Sequence, residues 1–216
     1  MPVSRCRAML CSWLILNIDM FMKRILLFSV IAFAAVANCC AQKMSEVFAA
    51  APYDVLPLMT KNNRLDCIDF IENKMEARVK DRFDNDVVLE EMTADYLRLV
   101  TSKVSSTEMK IVDGRVYVSE TCMGPAADTQ VKVYDSKWNL IKVVSRPEVE
   151  AFVRTDAVLS LDERFSLLAE AKILTLIKGS LSKEDNTLTW ELQTSEFTRD
   201  TKKAADKCLQ PVVVRL

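Results

Sequence analysis

Apolar positions along this chain follow two periods, one helical and one alternating, and they divide it into readable elements. Ser45-Glu46-Val47-Phe48-Ala49-Ala50-Ala51 reads as a short helix opened by Ser45 and stopped by Pro52, because the residue before a proline is pushed out of the helical region. Pro57 marks a second break. Asn63 is placed to cap a longer helix, with Leu65, Ile68, Ile71 and Met75 on one apolar face and Cys67 and Phe70 flanking it. Asp66, Asp69, Glu72 and Lys74 mark its wet side. From about Val79 the period becomes two. Leu97 and Leu99 oppose Tyr96, Arg98 and Val100, and Met109 and Ile111 lead through Asp113-Gly114, a two-residue hairpin signal, to Val116 and Val118. Val131 and Val133 alternate with Lys132 and Tyr134, and a turn at Ser136–Asn139 precedes Leu140–Val144. The pattern predicts an antiparallel meander of about five strands, buried on one face and polar on the other.

Arg146-Pro147 ends that run. Asp162 is placed to cap a helix with Phe165, Leu168 and Ala169 inside, and Ile173–Ile177 reads as a strand. Glu184-Asp185-Asn186 turns into Leu188–Leu192, whose clean alternation makes Trp190 a core position. Phe197, Ala204, Ala205, Cys208 and Leu209 fit the apolar face of a last helix, and Pro211 opens a strand through Val212–Val214. The expected class is α+β, a β-meander sheet packed with a few helices in one domain over residues 42–216.

The first 41 residues follow a different pattern. Met22 precedes Lys23 and Arg24, then a 12-residue uncharged apolar run from Ile25 to Val36. Small residues follow, with Cys39 and Ala41 at the −3 and −1 positions before Gln42. This is the layout of a cleavable secretory signal. The run is too short to span a bilayer, which takes roughly 20 residues. Residues 1–21 then read as an upstream extension from a misassigned start. Joining Trp13 to Ala37 as one anchor would bury Asn17, Asp19, Lys23 and Arg24 at several kcal/mol. A lipoprotein reading would use Val36-Ala37-Asn38-Cys39, where Asn38 fits poorly, so cleavage before Gln42 is favoured. The expected location is periplasm or cell envelope, with no integral span after cleavage.

Residues 42–216 carry 25 Lys and Arg against 29 Asp and Glu, a formal charge of −4. A mildly acidic domain has no electrostatic reason to bind nucleic acid. Three cysteines remain in it, Cys67, Cys122 and Cys208, widely spaced and odd in number. One disulfide is permitted outside the cytosol, but buried free thiols are the favoured reading.

The chemistry of the chain is defined by what it lacks. There is no histidine, which removes Ser-His and Cys-His nucleophiles and the commonest zinc ligand. Gly114, Gly124 and Gly179 stand alone, so no glycine-rich loop cradles a phosphate. Ser180-Leu181-Ser182-Lys183 matches Ser-x-x-Lys, but it follows Gly179 in a polar stretch that reads as a solvated turn. Asp84-Asn85-Asp86, with Asp81 and Glu90 near, lacks the spacing of a calcium loop and reads as an Asp/Asn turn. No catalytic residue, metal ligand or cofactor is assigned. Trp138, at an expected hairpin tip, and Tyr134 are the candidate contacts for a partner or glycan, with folding back over the sheet edge as the alternative for Trp138.

The segment Thr121-Cys122-Met123-Gly124-Pro125-Ala126-Ala127-Asp128-Thr129, with Tyr134-Asp135 and Trp138 after it, resembles an uncharacterised family of exported proteins from Bacteroidales, domain of unknown function 3256. Asn63-Arg64-Leu65-Asp66 and Asp95-Tyr96-Leu97 are similar to that family too. The resemblance implies an envelope location and carries over no activity, ligand or catalytic residue. Within it, Gly124-Pro125 reads as a turn or bulge in which the glycine takes a positive φ. The function favoured by these observations is a non-catalytic binding or scaffold domain for an envelope protein or glycan. The alternative is a hydrolase acting on a cell-wall or dietary glycan through two carboxylates.

Overall fold

The computed structural model describes residues 43–216, which cluster as one compact unit. Helix α1 (Met44–Ala50) stops before Pro52, as expected. Its N-cap is Lys43 rather than Ser45, and no side chain caps it; instead the Met44 N–H donates to Ala94 O at 2.8 Å, anchoring the helix to the sheet. Helix α2 (Lys61–Glu72) is capped by Thr60, and Asn63 is the reciprocal partner of a capping box rather than the cap. Asn63 also donates from Nδ2 to Lys80 O at 2.7 Å. The buried side of α2 differs from the expected stripe: Arg64 and Cys67 are inside while Leu65 is exposed, and Met75 lies past the end of the helix, also exposed. The cause is Arg64, whose guanidinium donates to Met59 O at 2.9 Å and Ala49 O at 3.3 Å and so turns that face inward. Ile68, Phe70 and Ile71 still pack against the core.

Seven antiparallel strands follow in sequential order: β1 (Ala77–Lys80), β2 (Asp86–Met92), β3 (Tyr96–Ser102), β4 (Ser105–Val112), β5 (Arg115–Cys122), β6 (Asp128–Tyr134) and β7 (Leu140–Val143). The meander is longer than the expected five strands because β1 and β2 form a further hairpin. Asp81 Oδ1 accepts from the N–H groups of Phe83 and Asn85 and holds their turn, so Asp84-Asn85 is a turn as read and Asp86 begins a strand. Asp113 (φ 49°) and Gly114 (φ 71°) both take the left-handed conformation that a two-residue hairpin requires. Gly124 does not; its bond to Pro125 is cis.

A 3₁₀ turn (Val149–Phe152) leads to α3 (Leu161–Ile173), β8 (Ile177–Leu181), β9 (Thr187–Leu192), α4 (Arg199–Cys208) and β10 (Val212–Arg215). The last three strands form a separate antiparallel sheet in the order β10-β9-β8. Ser160, not Asp162, caps α3, in a capping box with Glu163. Leu167 and Ala171 are its buried positions, whereas Phe165 is 76% exposed. Residues 173–177 are not a strand, since α3 runs through Ile173 and β8 begins at Ile177. Gly179 and Ser180 therefore lie inside a strand rather than in a turn.

The large sheet has a core on each face. Helices α1 and α2 cover Val87, Leu89, Leu97, Leu99, Met109 and Val118 on one side. On the other, Tyr117, Val131 and Val133 pack with the small sheet, α3, α4 and the fully buried Trp190. Among the described residues, strand β8 has one strand neighbour, β9; its other edge is hydrogen-bonded by side chains of the large sheet. Ile177 N–H donates to Asp128 Oδ1 (3.2 Å), Ser119 Oγ donates to Gly179 O (3.2 Å), and Leu181 N–H donates to Glu108 Oε2 (2.8 Å). Lys110, 1% exposed, completes the row: its ammonium donates to Lys183 O and pairs with Asp95, both at 2.9 Å. A buried lysine with this many partners is a structural clamp. Among the described residues, no helix is long and apolar enough to cross a membrane.

Candidate functional site

The segment Val55–Met59 crosses one end of the large sheet on its helix-covered face, and a cleft of about 480 Å³ opens between them. Pinning of Met59 O by Arg64 fixes one end of this segment. The upper wall is apolar: Val55, Leu56, Pro57, Leu58 and Met59. The floor is polar because β3–β6 change character at this end. Met109 pairs with Val118 under the helices, but one step along the same face Thr107 pairs with Glu120, and Glu120 with Gln130. A further step brings Ser105 opposite Cys122 and Cys122 opposite Asp128, with Arg146 at the rim. The volume falls within the range of small-molecule sites, roughly 300 to 1,000 Å³, and a mostly apolar lining with a few polar groups is their usual make-up.

The charged groups of the cleft are already engaged. Lys132 Nζ donates to Glu120 Oε2 at 2.7 Å, and this bond, against partial burial, raises the lysine's pKa. Arg146 Nη2 donates to Asp128 Oδ2 at 2.9 Å while Asp128 Oδ1 receives the Ile177 N–H. Glycoside hydrolysis needs one carboxyl group free to hand a proton to the leaving group. Neither lining carboxylate is unengaged. Among the described residues no three His, Cys, Asp or Glu side chains gather as a metal site.

The thiols differ in setting. Cys67, Cys122 and Cys208 are all free, and Cys67 and Cys208 are buried. Burial, reinforced by the Asp66 charge, pushes the Cys67 thiol up to about 12. Cys122 is exposed in the cleft, contrary to the expectation of uniformly buried thiols.

Trp138 and Tyr134 sit together but outside the cleft. Their ring centroids are 5.5 Å apart at 58°, Tyr134 is buried, and Trp138 is half-buried against the helix-side core. Trp138 has φ 66°, held by the Asp135 turn, in which Asp135 Oδ1 accepts from the N–H groups of Lys137 and Asn139. Bonds from the Asn139 side chain and backbone keep the Asp135 carboxyl below its usual range. The indole thus folds back on the sheet.

Sequence reasoning did not single out Thr107, Glu120, Gln130 or Arg146. A usable signal existed: in Ser105-Ser106-Thr107-Glu108 and Ser119-Glu120-Thr121 both parities of a strand are polar, which marks a place where strand side chains serve hydrogen bonding rather than an apolar core; Glu108 and Ser119 are buried and bonded to β8.

The family described as Protein of unknown function (DUF3256) matches residues 36–215 of this chain. The chain belongs to that family. For this DUF3256 member a similar solved structure is that titled "Structure of a domain of an uncharacterized protein from Porphyromonas gingivalis W83", with TM-score 0.65 and 22% sequence identity, covering 78% of this chain and 92% of that one. At that identity the likeness concerns the DUF3256 fold alone. No curated protein matches the chain.

Proposed function

We propose that this chain is an exported, non-catalytic binding domain of the cell envelope whose ligand seat is the cleft between Val55–Met59 and the sheet floor. The observation that carries the reading is the pairing of an apolar wall with a hydroxyl- and amide-bearing floor, in which both lining carboxylates already hold a cation or backbone N–H. Such a site favours a ligand with an apolar body and a few neutral hydrogen-bonding groups. No aromatic ring lines it, so stacking on a sugar would fall to Trp138 instead. Export rests on Lys23-Arg24, the apolar run Ile25–Val36 and the small residues before Gln42.

Cys122 offers a direct test, because of the thiols in the described residues it is the exposed one and it lines the cleft. An apolar fluorescent probe such as N-phenyl-1-naphthylamine should bind saturably to the native protein. Alkylation with N-ethylmaleimide should abolish that binding, while Cys122→Ser should bind the probe and resist the reagent. Probe binding that survives alkylation of Cys122 would remove the cleft as the seat. Mass spectrometry of the native protein checks export: its first residue should be Gln42, and lipid on Cys39 or Cys40 would overturn the cleavage site.

A further inference from the structure

Beyond the cleft, the large sheet ends in an open strand of unusual composition. All four residues of β7 are exposed, and three are large and apolar: Leu140 (55%), Ile141 (49%) and Val143 (49%). Among the described residues its one strand neighbour is β6. Val144 N–H donates to Val131 O at 2.8 Å, so the alternation of a strand turns the N–H and C=O of Val143 to the open side. An unpaired edge row of this kind is completed by another strand.

Charge and area select the occupant. Asn139–Arg146 carries no carboxylate, and Arg146 is already paired with Asp128, so a second copy paired antiparallel to the first would offer the exposed Lys142 no acid. A four-residue edge also falls short of the roughly 1,200 to 2,000 Å² that stable dimers bury. An extended segment with acidic side chains removes the charge obstacle, and a transient peptide contact needs less area than a stable dimer. Its backbone meets Val143, its apolar side chains meet Leu140 and Val143, and its acids meet Lys142.

We propose that the open edge of β7 docks an extended segment of another protein in which apolar and acidic side chains alternate. This site is separate from the cleft reading. The test uses the full chain and a fluorescein-labelled, end-capped nine-residue peptide alternating valine and glutamate, followed by fluorescence anisotropy and amide exchange. Saturable binding should slow exchange at the Val143 N–H. It should weaken at least tenfold in Lys142→Glu and in Val143→Pro, which removes the outward donor. A peptide with lysine for glutamate should bind at least tenfold more weakly than the acidic one. Gln130→Trp, which obstructs the cleft, should leave affinity unchanged. If Val143→Pro does not fold, Lys142→Glu, at an exposed side chain, decides. No saturable binding, equal affinity for the two peptides, or affinity unaffected by Lys142→Glu would each overturn the proposal, as would concentration-dependent self-association abolished by Lys142→Glu.

Discussion

Replacing Gly179 by alanine should destabilise the domain through a single neighbour. A Cβ at Gly179 would lie 2.7 Å from Cζ3 and 2.9 Å from Cε3 of Trp190, and 3.2 Å from Cγ2 of Thr129. Contacts below 3.0 Å force a shift, and Trp190 is fully buried with nowhere to move. Overpacking of this kind costs about 1 to 3 kcal/mol. The loss of unfolded-state freedom on replacing glycine returns about 0.4 to 1 kcal/mol, because the Gly179 backbone is not in the left-handed region. The net expectation is a loss of about 1 to 2 kcal/mol. The two closest atoms belong to the indole, so in a Trp190→Leu background the alanine should be close to neutral. Urea unfolding followed by circular dichroism, analysed as a double-mutant cycle, should give a coupling of about 1 kcal/mol or more. Additivity within about 0.5 kcal/mol would refute the claim that β8 sits where it does because the ring lies against a bare backbone.

Trp190→Ala should cost about 3 to 5 kcal/mol as a large core truncation, and the half-buried Trp138→Ala clearly less; equal losses in denaturant would show that one ring is misassigned. Asp95 should contribute to acid unfolding. Burial alone would raise its pKa, but bonds from Lys110 and Thr93 outweigh that and hold it below the usual carboxylate value. A pKa lower in the folded than in the unfolded state gives stability that is complete above about pH 4 and is lost as pH falls through the folded value. Asp95→Asn should therefore flatten the stability profile below about pH 4, and an unchanged slope would contradict the assignment. Chelators and added nucleotides should leave the melting temperature unchanged, since any ligand preferring the folded state raises it; a rise of several degrees with calcium would reopen the Asp81–Asp86 turn as a site.

Local chemistry was readable from the residues. Alternation marked β3 to β7, Asp113-Gly114 marked its hairpin, and the neighbours of Trp190 marked it as core. Elements whose faces are chosen by tertiary contacts were not readable. Helix α3 offers two apolar stripes, one through Leu161 and Phe165 and one through Leu167 and Ala171, and only packing against α4 and the small sheet selects the second. In α2 a charged residue, Arg64, takes a core position because two backbone carbonyls receive it, and no periodicity scale anticipates that. Gly179 suggested a turn because glycine is common there, whereas its role is to let Trp190 approach. The cleft joins Val55–Met59 to Gln130 and Arg146, more than 70 positions away, and such a meeting leaves no mark on either segment.

The side-chain cap on β8 also bears on how the chain assembles. Each strand of the meander pairs with the next along the chain, and such local pairing closes small loops quickly. The groups that receive β8 lie 49, 60 and 73 positions away from their partners, so the cap can form only after the meander has set Asp128, Ser119 and Glu108 in line. Formation of the domain should therefore proceed in two stages, with the C-terminal third docking onto a finished sheet. While it waits, the strip that will accept β8 presents carboxylate, hydroxyl and ammonium groups to water. A chain still folding is thereby spared a bare apolar strip at that place, and exposed apolar surface is what makes partly folded chains aggregate.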